Sequence, residues 1–195
     1  MNHLQDTPSA PELPGGTLLV LGIHAPLEGE AAMVLLQPVG TARAWRFVAR
    51  PGAAAIVEVL RSIAAEPPAV GELRIAVVER PLGRLGGGTD PAKELRDATF
   101  EAGRWAACCE AFGFVVRPTD PQEWRPLVDP DHDQRPRMSQ RRLLARAREF
   151  AREKLDLPDT TEQTAQAACL AAWGLQSMHA LAVLAQEEQG EAANE

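Results

Sequence analysis

Two apolar runs in this 195-residue chain each end on a polar residue shortly before a proline. Residues 17–23, TLLVLGI, lead into His24, Ala25 and Pro26; residues 73–78, LRIAVV, lead into Glu79, Arg80 and Pro81. A continuous apolar run bounded by turn residues reads as a strand buried on both faces. The polar residue closing such a strand is where sheet-based enzymes place their chemistry, and here the two positions offer an imidazole and a carboxylate. A third feature is basic. Arg135, Arg137, Arg141, Arg142, Arg146, Arg148 and Arg152 stand against a single acid, Glu149, over residues 135–152. On a helix Arg141, Arg148 and Arg152 share a face, as do Arg142 and Arg146, which suits phosphate binding with a salt-dependent affinity.

Each feature has a plainer reading. His24 fits a turn residue hydrogen-bonded to backbone. Glu79 fits a strand end that faces solvent or pairs with Arg80 or Arg84. The arginines fit the solvated side of an amphipathic helix whose apolar stripe is Leu143, Leu144, Ala147 and Phe150. Trp45, Trp105, Trp124 and Trp173 fit core or half-core positions better than base-stacking platforms.

The elements that must position these residues follow from periodicity and turn chemistry. Residues 1–16 are polar and rich in Pro and Gly, the composition of a disordered lead-in. The strand at 17–23 is followed by a turn, a second apolar strand at 31–37, and a third at 43–50, making a meander. A helix at 53–66 carries Ile56, Val57, Leu60 and Ile63 at helical spacing. After the strand at 73–79 comes the loop 83–90, GRLGGGTD, which lacks the Gly-Lys-Ser/Thr ending of a phosphate-binding P-loop. A long helix is expected at 93–113, a short strand at 114–117, and a turn and short helix at 118–127 anchored by Trp124. Ser139 is placed to cap a basic helix at 140–155, and Thr160 or Thr161 to cap a final apolar helix ending near Gln186. The last stretch, 187–195, holds four glutamates and no base, and reads as an acidic disordered tail. The order β-β-β-α-β-α-β-α-α means a mixed sheet with helices on its faces.

Composition limits the function classes. A net charge of −7 gives no global basic signature for nucleic acid, although the local arginine segment does not share that balance. Cys108, Cys109 and Cys169 form no CxxC pair and no zinc spacing, and read as reduced, buried small residues of a cytoplasmic protein. The N-terminus lacks a basic-then-apolar signal pattern. No apolar run approaches the ~20 residues of a membrane span.

Five segments in this order resemble RuvC-type Holliday junction resolvases, particularly the phage and prophage kind. They are LLVLGIHAP, RIAVVERP, ATFEAGRWAACCEAFGFVVRPTDPQEWRPLV, SQRRLLARAREFAREKL and TEQTAQAACLAAWGL, and together they span about residues 17–178. The resemblance implies a ribonuclease H-like α/β domain over 17–186. Its mixed five-stranded sheet would combine a three-stranded antiparallel meander with β/α units and carry helices on both faces. It implies phosphodiester hydrolysis by two magnesium ions held by about four acidic groups, work in DNA recombination, and a homodimer with helix 93–113 as the natural interface. The loop 83–90 falls where the family has a mobile DNA-facing loop.

Residue by residue, the site departs from that pattern. Glu79 matches the family's glutamate. The first-strand aspartate is His24, the last-helix acid is Gln166, and the position one turn earlier is Gln163 or Glu162. The glutamines also fit the polar stripe of a helix. Hard cations want carboxylate oxygen, and only Glu79 and Glu162 remain as weak metal candidates. The expectation is a pseudoenzyme without a cofactor that binds branched or structured nucleic acid, with DNA as the expected partner, through Arg84, Arg135, Arg137, Arg141, Arg142 and Arg146, or serves as a scaffold subunit. One alternative is an active Mg- or Mn-dependent endodeoxyribonuclease with His24, Glu79 and Glu162 as ligands, helped by Glu28 or Glu30. Another is a protein–protein adaptor without nucleic-acid binding.

Overall fold

The computed structural model describes residues 17–26, 29–37, 42–66, 72–80, 90–120, 122–130 and 138–192. Its centre is strand β1, Leu18–His24, in which every residue but the last is buried. Burial on both faces follows from the uninterrupted apolar run, since a side chain on either side of the pleat meets core. β2, Ala31–Leu36, pairs with β1 antiparallel, and β3, Ala42–Phe47, pairs with β2 antiparallel. β4, Leu73–Glu79, lies parallel to β1 on its other side, and β5, Val115–Thr119, is parallel to β4. The sheet order is β3-β2-β1-β4-β5. The meander and the β/α units are those expected.

The helices are α1 (Ala53–Ala64), α2 (Pro91–Ala111), α3 (Gln140–Leu155) and α4 (Glu162–Ala192). Side-chain parity sorts them onto two faces. Leu19, Leu21 and Ile23 of β1 join Ala76 and Val78 of β4 in a core with Ile56, Leu60 and Ile63 of α1 and Trp105 and Cys109 of α2. Leu18 and Val20 join Ile75 and Val77 in the opposite core, with α3 and the Ala-rich part of α4. On that second face the backbones nearly touch. A Cβ on Gly22 would lie 2.1 Å from the Ala167 carbonyl oxygen, and one on Gly174 would lie 2.5 Å from a Val77 methyl. The small residues Ala167, Ala171 and Gly174 let α4 press onto β1; Gln166 meets His24, Ala167 and Ala171 meet Gly22, and Gly174 meets Val20, so α4 runs antiparallel to the strand.

Boundaries moved where tertiary partners ran out or continued. β3 ends at Phe47 rather than 50 because its partner β2 begins at Ala31, opposite Phe47, and Val48 is 85% exposed. α2 starts two residues early, with Pro91 in its first turn and Asp90 accepting from the Lys93 amide at 3.0 Å. β5 continues through Pro118 to Thr119, since an edge strand tolerates the missing N–H. The expected short helix before residue 127 is a single 3₁₀ turn, Arg125–Leu127. Ser139 stands at the start of α3, but its carbonyl, not its hydroxyl, accepts the Leu143 amide. Thr161 does cap α4, its hydroxyl accepting from the Thr164 amide at 3.2 Å. α4 continues to Ala192, past the expected end near Gln186, so the first part of the acidic stretch is helical. Among the described residues no helix is long and apolar enough to cross a membrane.

Candidate functional site

His24 and Glu79 end adjacent parallel strands. Ile23 is in register with Val78, so the next residues, His24 and Glu79, sit side by side. Both point to the α4 face, by the same alternation that places Val20 and Val77 there. Glu79 is 4% exposed, so it does not face solvent. His24 Nδ1–H donates to Glu79 Oε2. The other carboxylate oxygen, Oε1, accepts from the indole N–H of buried Trp124 at 3.2 Å. The Gln166 amide nitrogen lies 3.2 Å from His24 Nε2, and since an amide N–H can only donate, Nε2 accepts in this contact. Gln166 reaches this point because α4 lies so close to Gly22, one turn below. The imidazole is thus held by side chains rather than by turn backbone.

The other expected site residues are placed differently. Glu162, in the first turn of α4, offers its carbonyl to Gln166 at 3.4 Å, while its carboxylate lies 3.7 Å from Arg148 of α3. Gln163 is half-buried and is not joined to His24 or Glu79. Glu30 lies 3.5 Å from Arg46. Glu28, Arg84, Arg135, Arg137 and the glycine-rich loop lie outside the described residues. Arg141 and Arg142 are exposed on α3. Arg146 donates to the Val128 carbonyl at 3.1 Å and lies 3.4 Å from Asp129, with 45% of its side chain still exposed.

Trp124 is the site residue that sequence reading assigned only to the core. Its signal was available, because a buried indole N–H needs an acceptor, but nothing local says that the acceptor is 45 residues away. Cys169 lies close enough for the Glu79 charge to be felt. Burial first, and then Glu79, push its thiol up to about 12, so no thiolate forms there at neutral pH. Burial likewise pushes Cys109 up to about 12. Cys108, expected to be buried, is only half-buried; all three cysteines are free.

The donor set does not fit a pair of divalent ions. Among the described residues, Glu79 is the carboxylate closing β1 and β4, and each of its oxygens accepts from a protein N–H group. Its neighbours are an imidazole and an amide, and the carboxylate of Glu162 is turned to Arg148. Among the described residues no group of three or more His, Cys, Asp or Glu is arranged to hold a metal ion. Among the described residues, the side chains that hydrogen-bond His24 are Glu79 and Gln166.

A five-stranded mixed sheet in this order, with a long helix laid across its central parallel strands, matches the ribonuclease H-like fold that RuvC structures share. The chain is similar to Thermus thermophilus RuvC solved in complex with a Holliday junction substrate, at a TM-score of 0.54 and 13% identity, covering 84% of this chain and 96% of that one. It is similar also to a second structure of Thermus thermophilus RuvC, at a TM-score of 0.51 and 13% identity, covering 83% and 96%. No protein-family model matches the chain, and no curated protein matches it. At that identity the likeness is one of fold.

Proposed function

We propose that this chain is a RuvC-type protein that binds branched or structured DNA, or scaffolds its assembly, without cutting it. The observation that carries the reading is the closed state of Glu79, whose two oxygens accept from His24 and Trp124. Each of those oxygens spends a lone pair on a protein donor and, among the described residues, no cluster of acids stands beside them, whereas two-metal hydrolysis needs several carboxylate oxygens turned to the cations.

Binding is supported by α3. Its contact with α4 through Arg148 and Glu162 sets the middle of the basic helix beside the strand ends, and Arg141 and Arg142 face solvent on it. The homodimer that the resemblance implies is supported by α2. Leu95 and Phe100 are 59% and 68% exposed there, and Ala98, Ala102 and Ala106 line an apolar groove against Val116 of β5. The adaptor alternative draws on the net charge of −7.

A four-way-junction assay in Mg²⁺ and in Mn²⁺, reading binding and cleavage from the same samples, tests the reading. The expected result is retention without cleavage in either metal. Cleavage that disappears in Glu79→Ala would overturn it and restore the altered-ligand nuclease. Neither binding nor cleavage would leave the adaptor.

A further inference from the structure

We infer that the strand-end cluster is a metal-independent clasp: His24 and Trp124 each take up one oxygen of Glu79, and the cluster fastens the sheet to α4 and to the 3₁₀ turn. It deepens the non-cleaving reading and rests on the same residues. Four separate elements meet in it. His24 closes β1 and Glu79 closes β4. Gln166 belongs to the second turn of α4, and Trp124 immediately precedes the 3₁₀ turn. Each polar atom has a complementary partner: carboxylate oxygens meet two N–H donors, and the remaining imidazole nitrogen meets an amide donor that also reaches the Glu162 carbonyl. Glu79 and Trp124 are buried, at 4% and 1% exposed, while His24 and Gln166 are half-buried. The nearby acid Glu162 has a protein cation of its own in Arg148.

The physics of the two cases has opposite signs. A carboxylate held for a metal is a desolvated charge waiting for its partner, so removing it relieves the metal-free protein. A carboxylate filled by buried N–H donors is an asset, and its loss strands those donors. Glu79→Met makes the distinction sharp. The thioether is similar in length and only a weak acceptor, so the His24 and Trp124 N–H groups both lose their partner.

The test is thermal unfolding in EDTA, with no nucleic acid present, so it can fail while junction binding stands, or hold while junction binding fails. The expected result is that Glu79→Met lowers Tm by on the order of 5 °C, and that Mn²⁺ leaves the Tm of the unaltered protein unchanged. An equal or higher Tm for Glu79→Met in EDTA would overturn the clasp. So would a Mn²⁺-induced rise in the unaltered protein, and that titration decides the matter should Glu79→Met be too unstable to purify. His24→Asp removes the imidazole donor and sets two carboxylates on neighbouring strand ends. It is expected to unfold earlier in EDTA and to recover with Mn²⁺; full stability of that variant in EDTA would count against the clasp.

Discussion

Glu101 shows what a single buried charge does in this molecule. It is 1% exposed on α2, where Arg50 and Arg104 donate to its two oxygens and the Trp105 indole N–H adds a hydrogen bond at 3.0 Å. Arg104 is anchored in turn on the Pro51 carbonyl at 2.6 Å, so the cluster ties α2 to the end of the meander. Burial pushes the Glu101 carboxyl up, but the hydrogen bonds and charges of Arg104 and Arg50 outweigh it and hold the group below its ordinary value of 4.5. A carboxylate lowered on folding stabilises the native state above its unfolded pKa, and that contribution is lost as pH falls through the lower, folded value. Thermal melts should therefore hold level above about pH 4.5 and decline below it. Glu101→Gln should flatten that acid limb and cost about 1.5–3 kcal/mol at neutral pH. The figure stays at the level of one charged hydrogen bond because Arg50, 46% exposed, can turn to water. The cluster was not anticipated from sequence: an acid, two arginines and a tryptophan along a helix and a loop look like ordinary surface charge until the fold buries the acid.

Among the elements, α4 decides the site. Its approach to β1 leaves no room for a side chain at Gly22, whose added Cβ would meet backbone atoms of Ala167 and Ala171. Gly22→Ala should force α4 outward and destabilise by about 1–3 kcal/mol, read by chemical denaturation. The same displacement should separate Gln166 from His24, which the His24 ring resonances in NMR would report. Helix α3 has a different role. Arg141 and Arg142 face solvent, so their double replacement by Ala should leave Tm within about 1 °C, as expected of exposed surface sites. Junction affinity should fall, with the salt slope reduced by about 0.9 for each phosphate that the variant no longer neutralises. An unchanged slope would take these two residues out of the interface. Arg146 is the less clean probe, because it also holds the Val128 carbonyl.

At the scale of the whole molecule, two cores back onto one sheet, and the strand ends open at the edge where α3, α4 and the Trp124 turn gather. The opposite side carries α2, with Phe100 standing out beside the groove along β5. If two copies pair through α2, Phe100→Asp should convert the dimer to a monomer in light scattering and abolish the dependence of Tm on protein concentration, while the fold persists because Phe100 is exposed in the single chain. A variant that still dimerises would exclude this face.

Much of the architecture was readable from the chain alone. β4 and α3 fall at the expected boundaries, and β1 and β2 within a residue of them. The reason is that hydrophobic periodicity and prolines act locally: a buried strand needs an apolar run, and a proline ends it. The same local logic placed His24 and Glu79 at strand ends and Gln166 on the last helix. What each of these side chains does was not local. Parallel pairing of β1 with β4 set His24 beside Glu79, and the close approach of α4 to Gly22 brought Gln166 onto the ring. The chain path after β5 carried Trp124 back to the second oxygen of Glu79. Hydrogen-bond satisfaction at a buried carboxylate depends on which groups are brought within about 3 Å, and that is a property of register and helix packing, which only the assembled sheet decides.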